Sequence, residues 1–170
     1  MARALRARHP ALEVHVLGGG DASLLLALRR VPGVEVHGYY RAGTLPARLA
    51  HIGANVAVAP SIVPEAFQLT LSECWLAGVP CVVFDHGAAA ERIRAHGGGR
   101  RVPLDAGASG LVAAIEEVLT DPASRDLGRA TASVPSCAAV AGAHLALYAE
   151  LGLAVSTTPA DTTPSKRVDA

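Results

Sequence analysis

Residues 64–80 of the chain read PEAFQLTLSECWLAGVP. Apolar residues recur in this segment at the spacing of one helix face, as Leu71, Cys74, Trp75 and Gly78. The spacing predicts a helix over about 68–77 that turns one stripe, with Trp75 in it, toward a sheet. Gly78 and Pro80 mark the end of this helix, and the most strand-like run of the chain, Cys81 to Phe84, follows it.

Two carboxylates stand on either side of the N-terminus of this helix. Glu65 lies in the loop just before the helix, and Glu73 lies about one and a half turns inside it. Backbone N–H groups at a helix start favour a bound phosphate, and carboxylates accept hydrogen bonds from the hydroxyl groups of sugars. Taken from the residues alone, this arrangement suits a sugar nucleotide.

Outward from this segment, strand-like and helix-like runs alternate, which predicts an α/β fold with a parallel sheet. The predicted strands are Leu12–Leu17, Val34–His37, Val56–Ala59, Cys81–Phe84 and Arg101–Val102. The predicted helices cover about 1–9, 22–30, 44–51, 68–77, 87–95, 110–120 and 136–151. The 170 residues are predicted to form one domain, 1–155, followed by a Ser-, Thr- and Pro-rich disordered tail, 156–170.

Side chains suited to capping precede several of these helices. The predicted N-caps are Asp21, Ser109 and Ser136. The last helix carries one apolar stripe, formed by Val140, His144, Leu147 and Leu151. The stripe predicts that His144 is a core histidine.

Composition excludes several classes of function. Lys and Arg number 15, as do Asp and Glu, so no global basic field exists to hold nucleic acid or an anionic membrane. Cys74, Cys81 and Cys137 show no ligand spacing and are predicted to be reduced core residues. We find no signal peptide and no apolar run near the ~20 residues that span a bilayer. The expectation is a cytoplasmic protein without a metal, with at most peripheral membrane contact.

The chain from Pro60 to Ile93 resembles a known family. The shared elements are Pro60-Ser61, Pro64-Glu65-x-Phe67, Leu69-Thr70-Leu71-Ser72-Glu73, Ala77-Gly78-Val79-Pro80 and Asp85-x-Gly87-Ala88-x-x-Glu91-Arg92-Ile93. In this order and spacing they are similar to the C-terminal, donor-binding domain of retaining GT-B glycosyltransferases of the group 1, family 4 type. The resemblance fades but persists from about Leu12 to Leu119. It implies a Rossmann-like, doubly wound parallel sheet.

The resemblance also implies roles for the two carboxylates and the helix between them. Glu65 would be the catalytic residue, with its carboxylate in contact with hydroxyl groups at the reacting end of the donor sugar. Glu73 would bind the ribose hydroxyls. Backbone N–H groups of Leu69 and Thr70 would bind the diphosphate, with help from the Thr70 hydroxyl. The other implied contacts line the sugar or lie near the base, and come from Ala66, Phe67, Gln68, Gly38 and Tyr39.

By the same resemblance, the reaction would move a hexose from a nucleoside-diphosphate sugar to an acceptor hydroxyl with retention. Such enzymes work mainly by positioning and by stabilising the leaving charge, without a metal or other cofactor. The acceptor would be a glycan or a lipid-linked sugar, in polysaccharide or cell-envelope biosynthesis. No nucleic acid is implied as a partner.

Three departures from the family pattern affect these expectations. The N-terminal, acceptor-binding domain is missing from the chain. The first strand of the donor domain, central in the order 3-2-1-4-5-6, is also missing, which leaves Leu12–Leu17 and Val56–Ala59 without their shared neighbour. The isolated chain is therefore predicted to have weak or no transferase activity. Many family members also have glycine where this chain has Gln68.

Three other interpretations stay open at this point. The chain could be a non-catalytic module that binds a nucleotide sugar, or a truncated reading frame without a stable fold. The run Gly18-Gly19-Gly20-Asp21 after a strand could instead bind a methyl donor, although it also suits a tight turn capped by Asp21. His86, in the loop after Phe84, could meet a phosphate or an acceptor, or be a solvated loop histidine.

Overall fold

The computed structural model describes residues 1–153, and the tail predicted for 156–170 lies outside the described residues. The strands are β1 (Val14–Leu17), β2 (Val34–Gly38), β3 (Ala57–Ala59), β4 (Cys81–Phe84) and β5 (Gly99–Val102). The α-helices are α1 (Ala2–Arg8), α2 (Ala22–Arg29), α3 (Leu45–His51), α4 (Leu69–Leu76), α5 (Gly87–His96), α6 (Gly107–Thr120), α7 (Gly128–Ala132) and α8 (Cys137–Glu150). Short 3-10 helices cover Leu104–Ala106 and Pro122–Arg125. The predicted α/β class is confirmed.

The strands of the described chain pair in parallel and form two sheets. β1 pairs with β2, and β3, β4 and β5 form a second sheet with β4 in the middle. Within the described residues, β1 pairs only with β2, and β3 pairs only with β4. These parallel strands in two sheets are consistent with a Rossmann-like GT-B half.

The central strand β4 shows why helices cover both faces of the larger sheet. All its residues are buried, and successive side chains of a strand point to opposite faces. Val82 and Phe84 pack with residues of α1 and α6, whereas Cys81 and Val83 pack with residues of α4 and α5. Continuous burial of this kind is typical of a parallel sheet that lies between two helix layers.

Strand β5 begins two residues earlier than predicted. Its first residue, Gly99, belongs to a glycine run that indicates a turn by composition. A side-chain carbon added at Gly99 would lie 1.9 Å from the carbonyl oxygen of Cys81. The glycine is therefore part of the strand because it lets β5 approach β4 closely.

Two of the three predicted N-caps are confirmed. Asp21 accepts hydrogen bonds from the backbone N–H groups of Ser23 and Leu24, and Ser136 accepts one from Ala139. The prediction for Ser109 is wrong, because α6 begins at Gly107. Gly107 has a φ of +52°, which lets the chain turn directly from the preceding 3-10 helix into α6.

The described residues divide into two units, one of Met1–Val134 and a second that begins at Pro135. In the second unit every residue of α8 is exposed, so the predicted core position of His144 is wrong. The ring nitrogen Nδ1 of His144 lies 2.8 Å from the carbonyl oxygen of Val140 in its own helix. Since α8 carries Ala and Leu on all sides, helical periodicity cannot single out a buried face.

The cysteines divide in the same way between the units. Cys74 and Cys81 are buried and unoxidised, as predicted, whereas Cys137 is exposed, so its assignment to the core is wrong. The hydrogen bond with Cys74 and burial raise the pKa of the Cys81 thiol, which keeps it protonated and unreactive. None of the described helices combines the length and the apolar character needed to cross a membrane.

Candidate functional site

A pocket lies where β3 and β4 end. Because the carboxyl ends of parallel strands meet at one edge of a sheet, the loops that follow them come together there. The pocket is lined by Ala59, Ser61, Val63, Glu65, Gln68, Val83, Phe84, His86 and Ala89. It brings together two predicted site residues, Glu65 and Gln68, with His86.

The loop that carries Glu65 is held against the start of α5. The carbonyl oxygen of Glu65 accepts a hydrogen bond from the backbone N–H of Ala88 at 3.1 Å. Gly87 has a φ of +65°, and a side-chain carbon there would lie 3.1 Å from the backbone nitrogen of Glu65. His86 Nε2 lies 2.9 Å from the carbonyl oxygen of Ser61, so that nitrogen donates and carries the proton. The backbone of Glu65 is therefore anchored, while the residue itself is exposed.

Gln68 forms the sharp turn from this loop into α4. Its φ of +59° and ψ of +80° place it in the left-handed region, where non-glycine residues are uncommon. The residue is only 8% exposed. This backbone geometry gives a physical reason for the glycine that many members of the resembling family have here.

We expect Gln68→Gly to be more stable than Gln68→Ala by up to about 1.6 kcal/mol. Both variants remove the same side chain, but only alanine keeps a Cβ in the left-handed conformation, at a cost of about 1–2 kcal/mol. That penalty exceeds the stabilisation that alanine gains by restricting the unfolded chain, about 0.4–1 kcal/mol. Urea unfolding followed by circular dichroism measures the difference. A more stable alanine variant would contradict the left-handed turn.

The N-terminus of α4 is open to an anion. No side chain caps the helix, and its first turn has no acidic residue. The first N–H groups of a helix have no partner within it, and in α4 they include those of Leu69 and Thr70. The helix dipole adds a partial positive charge at the same place. α2 differs, because the carboxylate of Asp21 already occupies its N-terminus. Hydrogen bonds from the Ser23 hydroxyl and from the backbone N–H groups of Leu24 and Ser23 lower the pKa of Asp21.

Arg92 of α5 supports the start of α4, a role that is not among those predicted from the sequence. Its guanidinium donates hydrogen bonds to the carbonyl oxygen of Phe67 at 3.0 Å and to Ser72 Oγ at 2.8 Å. It also lies 4.3 Å from the centre of the Phe67 ring and 4.9 Å from that of Trp75. Burial lowers the pKa of Arg92. The one signal for it in the sequence is its place in the shared element that ends in Glu91-Arg92-Ile93.

Glu73 faces a different loop from Glu65. It is half-buried on α4, and its Oε1 accepts a hydrogen bond from the backbone N–H of Gly43 at 3.2 Å. Gly43 belongs to the loop between β2 and α3, and α3 packs on α4 through Leu45 and Leu49. Glu73 is thus directed toward the loop that follows β2.

Gly38 ends β2, and Tyr39 begins that same loop. Gly38 has a φ of +72°, and its carbonyl oxygen accepts a hydrogen bond from the N–H of Gly18 at 2.8 Å. Tyr39 is 85% exposed, and its ring occupies the space that a side chain at Gly19 would need. Among the described residues that line the pocket at β3 and β4, neither Gly38 nor Tyr39 is found.

Ala66, Phe67, Leu69 and Thr70 complete the set of predicted site residues. Ala66, Phe67 and Leu69 are exposed, and Thr70 is half-buried in the first turn of α4. The segment from Glu65 to Thr70 therefore lies at one edge of the larger sheet, beside an uncapped helix start.

Comparison with known proteins agrees with this architecture. Residues 1–121, most of the 170-residue chain, match the family of group 1 glycosyl transferases. No curated protein matches the chain significantly. The matched range includes both sheets and the whole segment from Glu65 to Glu73. The chain therefore belongs to the group 1 glycosyl transferases, and it is a transferase domain with parallel α/β architecture.

Proposed function

We propose that the chain is the donor-binding half of a retaining hexosyltransferase that takes its sugar from a nucleoside diphosphate. The observation that carries the proposal is the uncapped N-terminus of α4 with Glu65 before it and Glu73 behind it. Family membership supports glycosyl transfer in general, and the arrangement of charges supports this donor class.

The diphosphate would lie at the start of α4. The N–H groups of Leu69 and Thr70 would donate to its oxygens, with the Thr70 hydroxyl as a further donor. The guanidinium of Arg92 bonds to the backbone at this helix start, so it would add positive charge behind the phosphates. Groups that stabilise the charge of the leaving diphosphate lower the barrier to transfer.

The sugar would lie over the pocket at β3 and β4. Glu65 lines this pocket, so its carboxylate would accept hydrogen bonds from the sugar hydroxyls and position the reacting carbon. Ala66, Phe67 and Gln68 would surround the sugar with backbone groups. His86 also lines the pocket, with Nδ1 left to accept a hydrogen bond from the donor sugar or the acceptor.

The nucleoside would extend toward the loop after β2. Glu73 would exchange its contact with the N–H of Gly43 for the ribose hydroxyls, and Gly38 and Tyr39 would lie near the base. The acceptor, a glycan or lipid-linked sugar of polysaccharide or cell-envelope biosynthesis, would be held by a further domain at the cytoplasmic side. No metal or cofactor takes part in this transfer step.

A non-catalytic binding module is the second candidate. The divided sheet favours it, because β1 and β3 each pair on one side only within the described residues. Such a module would bind the same nucleotide but transfer no sugar to a plain acceptor. Transfer by the isolated chain would exclude this candidate.

We expect Glu73→Ala to weaken nucleotide binding on the order of 10- to 100-fold, because a hydrogen bond to a charged group contributes about 1.5–3 kcal/mol. The measurement is ligand-detected NMR with UDP, GDP, dTDP and their common sugar conjugates. Glu150→Ala is the matched control, since Glu150 is an exposed glutamate at the end of α8.

Two results would overturn the proposed function. One is a chain that unfolds cooperatively but binds none of these nucleotides. The other is a bound nucleotide whose affinity is the same in wild type and in Glu73→Ala. S-adenosylmethionine serves as a further probe, and its binding with no effect of Glu73→Ala would support the methyl-donor interpretation.

A further inference from the structure

The same tripeptide, Glu-Val-His, occurs at positions 13–15, at the start of β1, and at positions 35–37, within β2. The parallel register pairs His15 with Glu35. Residues two positions apart on a strand share one face of a sheet, so His37 lies on the same face as Glu35 and His15. Glu13 precedes His15 by two positions and extends this cluster.

The ring nitrogens of the two histidines lie close together. His15 Nδ1 is 2.9 Å from His37 Nε2 and 3.6 Å from Glu35 Oε2. The rings stack with their centres 5.2 Å apart and their planes 22° from parallel. One possible ligand atom from each of His15, Glu35 and His37 therefore lies within 4.8 Å of the other two.

Burial separates the imidazoles from the carboxylates in this cluster. The side chains of His15 and His37 are 17% and 19% exposed, whereas those of Glu13 and Glu35 lie mostly in solvent. The imidazole nitrogens thus lie in a partly desolvated environment, and solvent reaches them on the side of the two carboxylates. This access would let an ion enter without unfolding the strands.

We propose that His15, Glu35 and His37 form a zinc-binding site. Zinc favours imidazole nitrogen and carboxylate oxygen at about 2.0–2.2 Å in tetrahedral geometry, which puts neighbouring ligand atoms about 3.3 Å apart. The separations of 2.9 and 3.6 Å around His15 Nδ1 lie on either side of that value. Small side-chain adjustments would therefore complete three of four positions, and water would take the fourth.

The other ring nitrogen of His15, Nε2, has a carboxylate neighbour that could orient the ring for metal binding. His15 Nε2 lies 3.6 Å from Glu13 Oε2. When Nδ1 binds a metal, Nε2 carries the proton and donates to a carboxylate, which orients the ring and makes it a better ligand. Glu13 is therefore a positioning residue and not a ligand.

The site goes beyond the proposed function, because it lies on the smaller sheet and uses none of the residues assigned to the donor. Its effect would be structural. The ion would link β1 to β2 and stabilise a two-stranded sheet in which, among the described residues, β1 pairs on one side only. It also departs from the expectation of no metal, since the two histidines are 22 residues apart in sequence and only the strand register joins them.

The test is a zinc titration in competition with a chromophoric chelator, on the full chain and on single-site variants. We expect one zinc ion per wild-type chain and a thermal unfolding midpoint that rises with zinc. His37→Gln should weaken binding at least about 100-fold and Glu35→Gln at least about 10-fold, since even outer-shell changes cost about 10- to 100-fold. Glu13→Gln should have a smaller effect than either.

His51→Gln is the matched control. It makes the same histidine-to-glutamine change, but at an exposed residue of α3 outside the cluster. Cobalt absorption in the visible range reports tetrahedral coordination directly and should disappear in His37→Gln. Far-UV circular dichroism verifies that each variant is folded, and Glu35→Gln, at an exposed carboxylate, keeps the test valid if His37→Gln unfolds. A folded wild type without zinc binding, or equal affinity in wild type and Glu35→Gln, would overturn the site.

Discussion

Trp75→Ala is expected to lower the free energy of unfolding of the unit Met1–Val134 by about 3–5 kcal/mol. The side chain is 0% exposed, and it packs in the cluster that joins α4, β4 and α5. Its indole Nε1 donates a hydrogen bond to the carbonyl oxygen of Gly98 at 2.8 Å. Because domains of this size are stable by only about 5–15 kcal/mol, the variant would be partly unfolded at moderate temperature.

Urea unfolding followed by far-UV circular dichroism measures this loss, since the variant lacks the only tryptophan of the chain. Trp75→Phe is the matched control. It keeps most of the buried ring but removes one of two hydrogen bonds to the carbonyl oxygen of Gly98, which still accepts from the N–H of Cys81, so the loss is only about 0.5–1.5 kcal/mol. The two variants should therefore differ clearly. A Trp75→Ala chain that unfolds at the wild-type urea concentration would contradict the packing described for this cluster.

The second large effect is expected at Arg92. Arg92→Ala should weaken nucleotide-sugar binding on the order of 10- to 100-fold, because the loss of a charge-assisted hydrogen bond costs about 1.5–3 kcal/mol. The side chain bonds to Phe67 and Ser72 and stacks on two rings. Without it, the loop before α4 loses its support from α5, and the phosphate-binding N–H groups lose their fixed positions.

Two control variants separate charge from geometry at this position. Arg92→Lys keeps the charge but cannot reproduce the planar fork that reaches Phe67 and Ser72 together, so it should behave nearly like Arg92→Ala. Arg94→Ala removes a neighbouring arginine that pairs with Asp85 at the exposed surface, and it should bind like wild type. NMR titration measures affinity, and hydrogen exchange of residues 64–70 should become faster in Arg92→Ala.

Unchanged exchange and affinity in Arg92→Ala would contradict the supporting role. The exchange readout does not depend on the proposed function, because it reports the loop in the absence of ligand. If exchange becomes faster while no nucleotide binds the wild type, the structural role stands and the donor proposal fails.

Local patterns in the chain were sufficient for its class and for most of its elements. The helical spacing through Trp75 predicted the buried face of α4, and the alternation of short apolar runs predicted parallel strands. Asp21 and Ser136 were predictable as caps because a cap acts on N–H groups two or three residues away.

Contacts between distant residues were not predictable in this way. Arg92 is twenty or more residues from Phe67 and Ser72, and nothing near it in the sequence shows that it would support their loop. Gly99 looked like part of a turn, because its close approach to Cys81 depends on the neighbouring strand. His144 was predicted to be buried because it lies on an apolar stripe, but in a helix that is apolar on all sides the pattern does not show which face is buried.

The sequence alone therefore determined the α/β class, the place of α4 and the carboxylates on either side of its N-terminus, since these depend on spacings within one or two turns. Only the tertiary structure decided which side chains share a site. The register of β1 with β2 put His15 beside His37, and the packing of α5 put Arg92 beneath the start of α4. Each contact joins chain segments that are distant in sequence and come together only on folding, so local sequence patterns do not predict it.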